Sequence, residues 1–225
     1  MQIVAFGDST TAARFPLQVY AERLHAALLE MGKSVGVVNA GARGDHTRGA
    51  RARLAADVIA RQPQLVLIQF GINDAAVDVW KTPPVRTPRI SLAEYEENLA
   101  AMVTELHAYA ITPVLMTPNP LAWTPQLRLL YRHAPYDPAT HAGFNVVLDQ
   151  YVARVCELAV ATQTLCIDIN RAFRAWQPNT ATSSEGTATD EAYSALLLDG
   201  MHPNDRGHTL IADTVLAALA ENALI

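Results

Sequence analysis

The sequence predicts an α/β fold, a three-layer α/β/α sandwich around one parallel five-stranded sheet. Three observations carry this expectation. Five short apolar runs, residues 2–6, 35–39, 65–70, 114–117 and 165–169, are rich in β-branched side chains and do not alternate with polar ones. Such runs suit strands covered on both faces. The longer segments between them repeat apolar residues every three or four positions, the period of a helix with one buried face. Strand and helix then alternate five times, as in a chain of βαβ units.

The elements follow in order. The first strand opens the chain, and Leu17, Tyr20, Leu24, Leu28 and Met31 mark the first helix. A second helical stripe is read from Leu54, Val58 and the apolar neighbours of Arg61. Leu92, Tyr95, Leu99, Met102, Val103 and Leu106 form the third. Val147, Leu148, Tyr151, Val155 and Leu158 form the fourth, and Leu210, Ile211, Val215, Ala218 and Leu219 the last. Right-handed crossovers leave few topologies, and the flavodoxin-like order 2-1-3-4-5 is the preferred one. Ligands of such sheets bind beyond the carboxyl ends of the strands, at the switch point beside strands 1 and 3. Three segments break the rhythm. Residues 78–90 carry Pro83, Pro84 and Pro88 and cannot be regular helix; residues 118–142 carry five prolines; residues 177–192, rich in Thr, Ser, Ala and Asn, read as a flexible loop. Long loops on the site side of a sheet usually serve function.

Composition bounds the function. The chain has 225 residues, half of them hydrophobic and 17% charged, which predicts a single domain spanning residues 1–225 with a large core. Seventeen Lys and Arg against 22 Asp and Glu leave a net charge of −5. With no long basic run, nucleic acid is not an expected partner. No stretch of about 18 apolar residues occurs, so no membrane span is expected. Met1-Gln2 leads straight into the first strand without a basic and apolar leader, which predicts a cytoplasmic protein. Cys156 and Cys166, set among apolar residues, are expected to be buried free thiols.

Chemistry gathers at predicted strand ends. Strand 1 ends in Gly7-Asp8-Ser9-Thr10, which places a serine hydroxyl before a helix where backbone N–H groups converge. Strand 2 ends in Asn39-Ala40-Gly41-Ala42-Arg43-Gly44, whose glycines allow an N–H to face a ligand. Strand 3 ends in Gly71-Ile72-Asn73-Asp74, offering an amide donor and a candidate helix N-cap at Asp74. Near the C-terminus, Asp199-Gly200-Met201-His202-Pro203 supplies an imidazole and, three residues earlier, a carboxylate able to fix its tautomer. Each block alone is an ordinary turn or cap. Together they hold a nucleophile, oxyanion donors, a base and its orienting acid, a complete set for acyl transfer.

These four blocks resemble those of the SGNH hydrolases, the GDSL-like esterases and lipases, over nearly the whole chain from Ser9 to His202. Thr10 stands where many members have Leu or Ile. The resemblance implies the same α/β/α sandwich. It also implies a catalytic Ser9–His202–Asp199 set and an oxyanion hole of the Ser9 and Gly44 N–H groups with the Asn73 amide. Asp8 and Asp74 are expected to support that site from behind. Neither a metal nor a cofactor is expected. The expected activity is a serine esterase acting on short acyl, chiefly acetyl, esters of a small molecule or oligosaccharide. Segments 88–98 and 117–137 also look like those of bacterial rhamnogalacturonan and xylan acetylesterases. Arg43, Trp80, Trp123, Tyr131 and Met201 are candidates for the substrate rim, with Tyr136 and Trp176 as further stacking aromatics. Arg86, Arg89, Arg128, Arg132 and His133 could bind hydroxyl or carboxylate groups. The alternatives are a lipid-type esterase (lysophospholipase or thioesterase) and, in a different class, a non-catalytic binding module on this fold.

Overall fold

A computed structural model describes residues 1–177 and 192–225. Its five parallel strands are β1 (Gln2–Gly7), β2 (Gly36–Gly41), β3 (Leu65–Gln69), β4 (Thr112–Met116) and β5 (Leu165–Ile167). They lie in the order β2-β1-β3-β4-β5, the arrangement expected from the alternation. The register brings Gly7 of β1 level with Gly41 of β2 and Gln69 of β3. Three strand ends therefore meet at one height, which is what collects the site.

The helices are α1 (Tyr20–Glu30), α2 (Thr47–Asp57), α3 (Ile72–Ala75), α4 (Leu92–Ala108), α5 (Pro125–Leu130), α6 (Leu148–Thr162), α7 (Ile169–Ala175) and α8 (Asp205–Glu221). Successive side chains of a strand point to opposite faces, and the core divides accordingly. Val4 and Phe6 of β1, Val66 and Ile68 of β3 and Leu115 of β4 pack with α2, α4 and α6. Ile3, Ala5, Leu65, Leu67, Val114 and Met116 pack with α1, α7 and α8. At roughly 1.5–3 kcal/mol for each large apolar side chain buried, these two layers are the main source of stability.

Several boundaries differ from expectation. β2 is only half-buried over most of its length, because as an edge strand it has a neighbour on one side alone. The second helical stripe stops at Asp57: Val58 caps the helix and residues 59–61 continue as a 3-10 turn. Leu17 precedes α1, and Met31 is its exposed C-cap. Three short helices went unpredicted, because a few residues show no period. One of them, α5, lies inside a proline-rich segment: Pro125 occupies its first turn, where a missing N–H costs nothing, and Thr124 accepts from the Leu127 N–H. The two cysteines are free, as expected, but half-buried rather than buried; they sit near each other on α6 and β5, and burial pushes both thiols up. Most of the predicted flexible loop, 178–191, lies outside the described residues. Among those residues no helix is long and apolar enough to cross a membrane.

Candidate active site

Ser9 follows β1 at a sharp turn. A Cβ on Gly7 would lie 2.1 Å from Thr11 Oγ1 and 2.8 Å from the Gln69 carbonyl, so only glycine lets β1 end this close to its neighbours. The Thr11 and Ala12 N–H groups both donate to the Asp8 carbonyl, at 3.2 and 2.9 Å. The turn leaves Ser9 half-buried, with its Oγ 3.0 Å from His202 Nε2. His202 Nδ1 lies 2.7 Å from Asp199 Oδ2. Asp199 Oδ1 accepts from the N–H groups of Met201 and His202, at 3.0 and 2.9 Å. Partial burial pushes the Asp199 carboxyl up, but the His202 hydrogen bonds outweigh it and hold the group well below the usual carboxylate range. Asp199 is therefore ionised at neutral pH and fixes the imidazole with Nε2 toward Ser9.

The N–H groups of Ser9 and Gly44 are the candidate backbone donors. Gly44 has φ +73°, a conformation costly for side chains bearing a Cβ. Among the described residues no acceptor takes the N–H of Ser9 or of Gly44. Asn73 is the candidate side-chain donor. Arg89 Nη1 donates to its Oδ1 at 3.2 Å, and its Nδ2 donates to Asp8 Oδ2 at 3.3 Å. Arginine can only donate, so the amide can sit one way round, with the second Nδ2 hydrogen left for a ligand. Arg89 is itself held by Asp78 Oδ1, at 2.7 Å from Nη2 and 3.1 Å from Nε, and Lys81 Nζ holds Asp78 Oδ2 at 2.7 Å. Burial pushes the Asp78 carboxyl up, but these two cations pull it below its ordinary value.

Asp8 and Asp74 lie behind these donors. Asp8 Oδ1 accepts from the Thr10 N–H at 2.8 Å. Burial pushes its carboxyl up to about 6. A group raised by folding contributes stability that is whole below its unfolded value, near pH 4, and lost as pH rises through about 6. Asp8→Asn is therefore expected to gain on the parent protein between pH 4 and 8. The gain is on the order of 3 kcal/mol, at about 1.4 kcal/mol per pKa unit, and urea unfolding at both pH values reads it. A difference that stays constant with pH would show that Asp8 has no raised pKa.

Asp74 does not cap its own helix, because Gly71 holds the N-cap position of α3. Its Oδ1 instead accepts from Thr47, at 2.9 Å from N and 2.6 Å from Oγ1. It thereby holds Thr47, the first residue of α2 after its N-cap His46, and fixes the Gly44 loop against the Asn73 loop. Its Oδ2 has no partner among the described residues, and burial pushes the carboxyl up.

Ser9, Gly44, Asn73 and His202 line one cleft of about 390 Å³, together with Arg14, Arg43, Ile72 and Met201. An inner pocket of about 120 Å³ shares Ile72, Asn73 and Met201 with it and is walled by Tyr131, Tyr136 and Phe144. Of the predicted rim, Arg43 and Met201 face the cleft. Tyr131 and Tyr136 are buried in the wall of the inner pocket rather than exposed for stacking. Trp123 stacks on Phe144 at 4.3 Å and donates to the Thr140 carbonyl, so neither its ring face nor its N–H turns to the cleft. Trp176 packs on the core of α7 and α8. Trp80 is exposed in a separate groove. Aromatics in these loops mostly complete the core, where each removes more apolar area from water than a rim position would.

Three supporting residues escaped prediction. Arg53 donates to the carbonyls of Gly7 and Ala40 and to Asp45, joining the ends of β1 and β2. Asn119 accepts from Thr10 Oγ1 and donates to the Met201 carbonyl, joining the Ser9 turn to the His202 loop. Its setting between Pro118 and Pro120 was the available signal. Arg14 enters the cleft from the loop after Ser9, with no signal in sequence. No group of metal-ligating side chains occurs among the described residues.

Residues 5–210 match the GDSL-like lipase/acylhydrolase family. The chain belongs to that family. An acetylxylan esterase of Geobacillus stearothermophilus is 31% identical over 197 residues, covering 86% of this chain and 75% of that protein. A lipase/acylhydrolase from Enterococcus faecalis superposes with a TM-score of 0.72 at 26% identity, over 98% of this chain and 96% of that one. A variant of an acetyl-xylooligosaccharide esterase from Geobacillus stearothermophilus gives 0.70 at 25% identity, over 97% and 93%. This GDSL-like acylhydrolase is thus an SGNH hydrolase close to carbohydrate acetylesterases, and a carboxylic ester hydrolase.

Proposed function

We propose that the protein hydrolyses acetyl esters of a carbohydrate through an acyl-serine intermediate. The observation that carries the mechanism is the hydrogen-bonded line from Ser9 Oγ through His202 to Asp199, opening on a cleft that also holds Gly44 and Asn73. Ser9 Oγ attacks the ester carbonyl carbon while His202 Nε2 takes its proton. The ionised Asp199 stabilises the resulting imidazolium. Negative charge grows on the carbonyl oxygen, which receives the N–H groups of Ser9 and Gly44 and the free Nδ2 hydrogen of Asn73. His202 returns the proton to the departing alcohol as the C–O bond breaks. Water, deprotonated by the same imidazole, then attacks the acyl-serine and frees the acid and Ser9.

The acyl and alcohol parts rest on two supports. The relatives named above include an acetylxylan esterase and an acetyl-xylooligosaccharide esterase. The inner pocket beside Asn73 is small, and aromatic side chains wall it, which suits a short acyl group. A p-nitrophenyl ester series from two to twelve carbons, run beside acetate release from acetylated oligosaccharides, tests the reading. Rates are expected to be highest for acetate and to fall beyond about four carbons, with acetate released from the sugars. A preference for long chains with no acetate from sugars would overturn it in favour of a lipid-type esterase.

A further inference from the structure

The mouth of the cleft is cationic, although the chain carries a net charge of −5. Arg14 and Arg43 line the same space as Ser9, and no carboxylate lines it among the described residues. Arg43 Nη2 donates to the Ala13 carbonyl at 3.1 Å, which seats its guanidinium against the loop that carries Arg14. The nearby carboxylates are engaged elsewhere: Asp8, buried, with Thr10 and Asn73, Asp45 with Arg53, Asp78 with Arg89 and Lys81, and Asp199 with His202. Phe15, the neighbour of Arg14, is 98% exposed, the most solvent-facing large apolar side chain described. A separate groove of about 610 Å³ is lined by Trp80, Lys81 and Arg132, again with no carboxylate among the described residues. Residues 79–90 and 117–136, which supply it, contain no Asp or Glu at all.

We propose that this cleft selects esters whose alcohol part carries a carboxylate. Resting on the carbohydrate reading above, the substrate is then an O-acetylated oligosaccharide that bears a uronic acid. The guanidinium fork pairs with a carboxylate through two parallel hydrogen bonds. The exposed ring of Phe15, next in the chain to Arg14, offers an apolar face for a sugar ring. A cationic mouth on an anionic body also guides an anionic substrate to the serine, where a uniformly negative surface would repel it.

The charge preference is tested with a matched pair of aryl esters, 4-acetoxybenzoate and 4-acetoxybenzamide, each rate divided by its rate with hydroxide. In 20 mM NaCl kcat/KM is expected to favour the benzoate about five- to tenfold, the yield of two exposed ion pairs. The ratio falls toward one in 0.5 M NaCl, where screening acts over about 4 Å. In the double variant Arg14→Glu, Arg43→Glu the preference inverts. Because the readout is a ratio within one sample, partial loss of active protein does not disturb it. A ratio near one that neither salt nor the double variant moves would overturn the inference and leave the proposed function standing. Acetate release from acetylated xylo-oligosaccharides with and without glucuronic acid branches then tests the alcohol, and the branched ones are expected to be preferred. No acetate from either would overturn the uronic-acid assignment together with the carbohydrate reading, even with the aryl preference intact.

Discussion

Ser9→Ala is expected to lower kcat on p-nitrophenyl acetate by on the order of 10⁶ while leaving the protein folded. Losing the attacking oxygen of a cooperating nucleophile, base and acid costs about as much as losing the whole set. The residual rate over water comes from the oxyanion donors and from binding. Ser9 Oγ makes one hydrogen bond, to His202, and is half-buried. Its removal should therefore cost no more than about 1 kcal/mol of stability. The variant should melt within a few degrees of the parent protein and should no longer be labelled by a fluorophosphonate. Turnover within tenfold of the parent would sink the acyl-serine mechanism. Labelling of Ser9 in the parent would by itself exclude a non-catalytic binding module.

Asn73→Ala is expected to cost about 10²–10³ in kcat, roughly 2.7–4 kcal/mol, the usual loss for one oxyanion donor. KM should hardly change, because the bond forms as charge develops on the carbonyl oxygen rather than when substrate binds. The amide acts in a fixed setting, and that setting can be tested separately. Arg89→Met removes the donor to Asn73 Oδ1 and leaves the amide held by Asp8 alone. It should lower kcat about tenfold at constant KM, and Arg89→Lys should recover part of the loss. If Asn73→Ala acted on KM alone, Asn73 would be a substrate-binding group, and the oxyanion would rest on the two backbone N–H groups.

Legibility in the sequence depended on whether a feature is local. The strands could be read because a fully covered strand is a short run of β-branched residues, as in Leu65–Gln69. The long helices α4, α6 and α8 could be read because one buried stripe repeats with the helical period. The short helices could not. Four residues of α3 or seven of α7 contain no period, and they are held by what they pack against. The four site blocks were legible because each needs particular residue types next to one another: a glycine that lets β1 turn, an aspartate three residues before its histidine. The aromatics Tyr131, Tyr136 and Trp123 illustrate the opposite case. Composition placed them on proline-rich loops, where exposure for stacking was the natural expectation. The fold instead gathers those loops around Phe144, burying Tyr131 and Tyr136 and half-burying Trp123.

The sequence by itself determined the sheet, its strand order and which four segments meet at the cleft, because periodicity, turn chemistry and handedness act over a few residues at a time. Only the tertiary structure decided how those groups are held and what surrounds them. Asp74 serves a helix 27 residues earlier in the chain. Arg89 fixes the Asn73 amide across 16 residues, and Asn119 reaches back 109 residues to Thr10 and forward 82 to Met201. Arg14 and Arg43 share a cleft because parallel strands end at one height. Such contacts leave no pattern along the chain. They exist once burial has removed the competing water and made each unpaired polar group costly enough to find its partner.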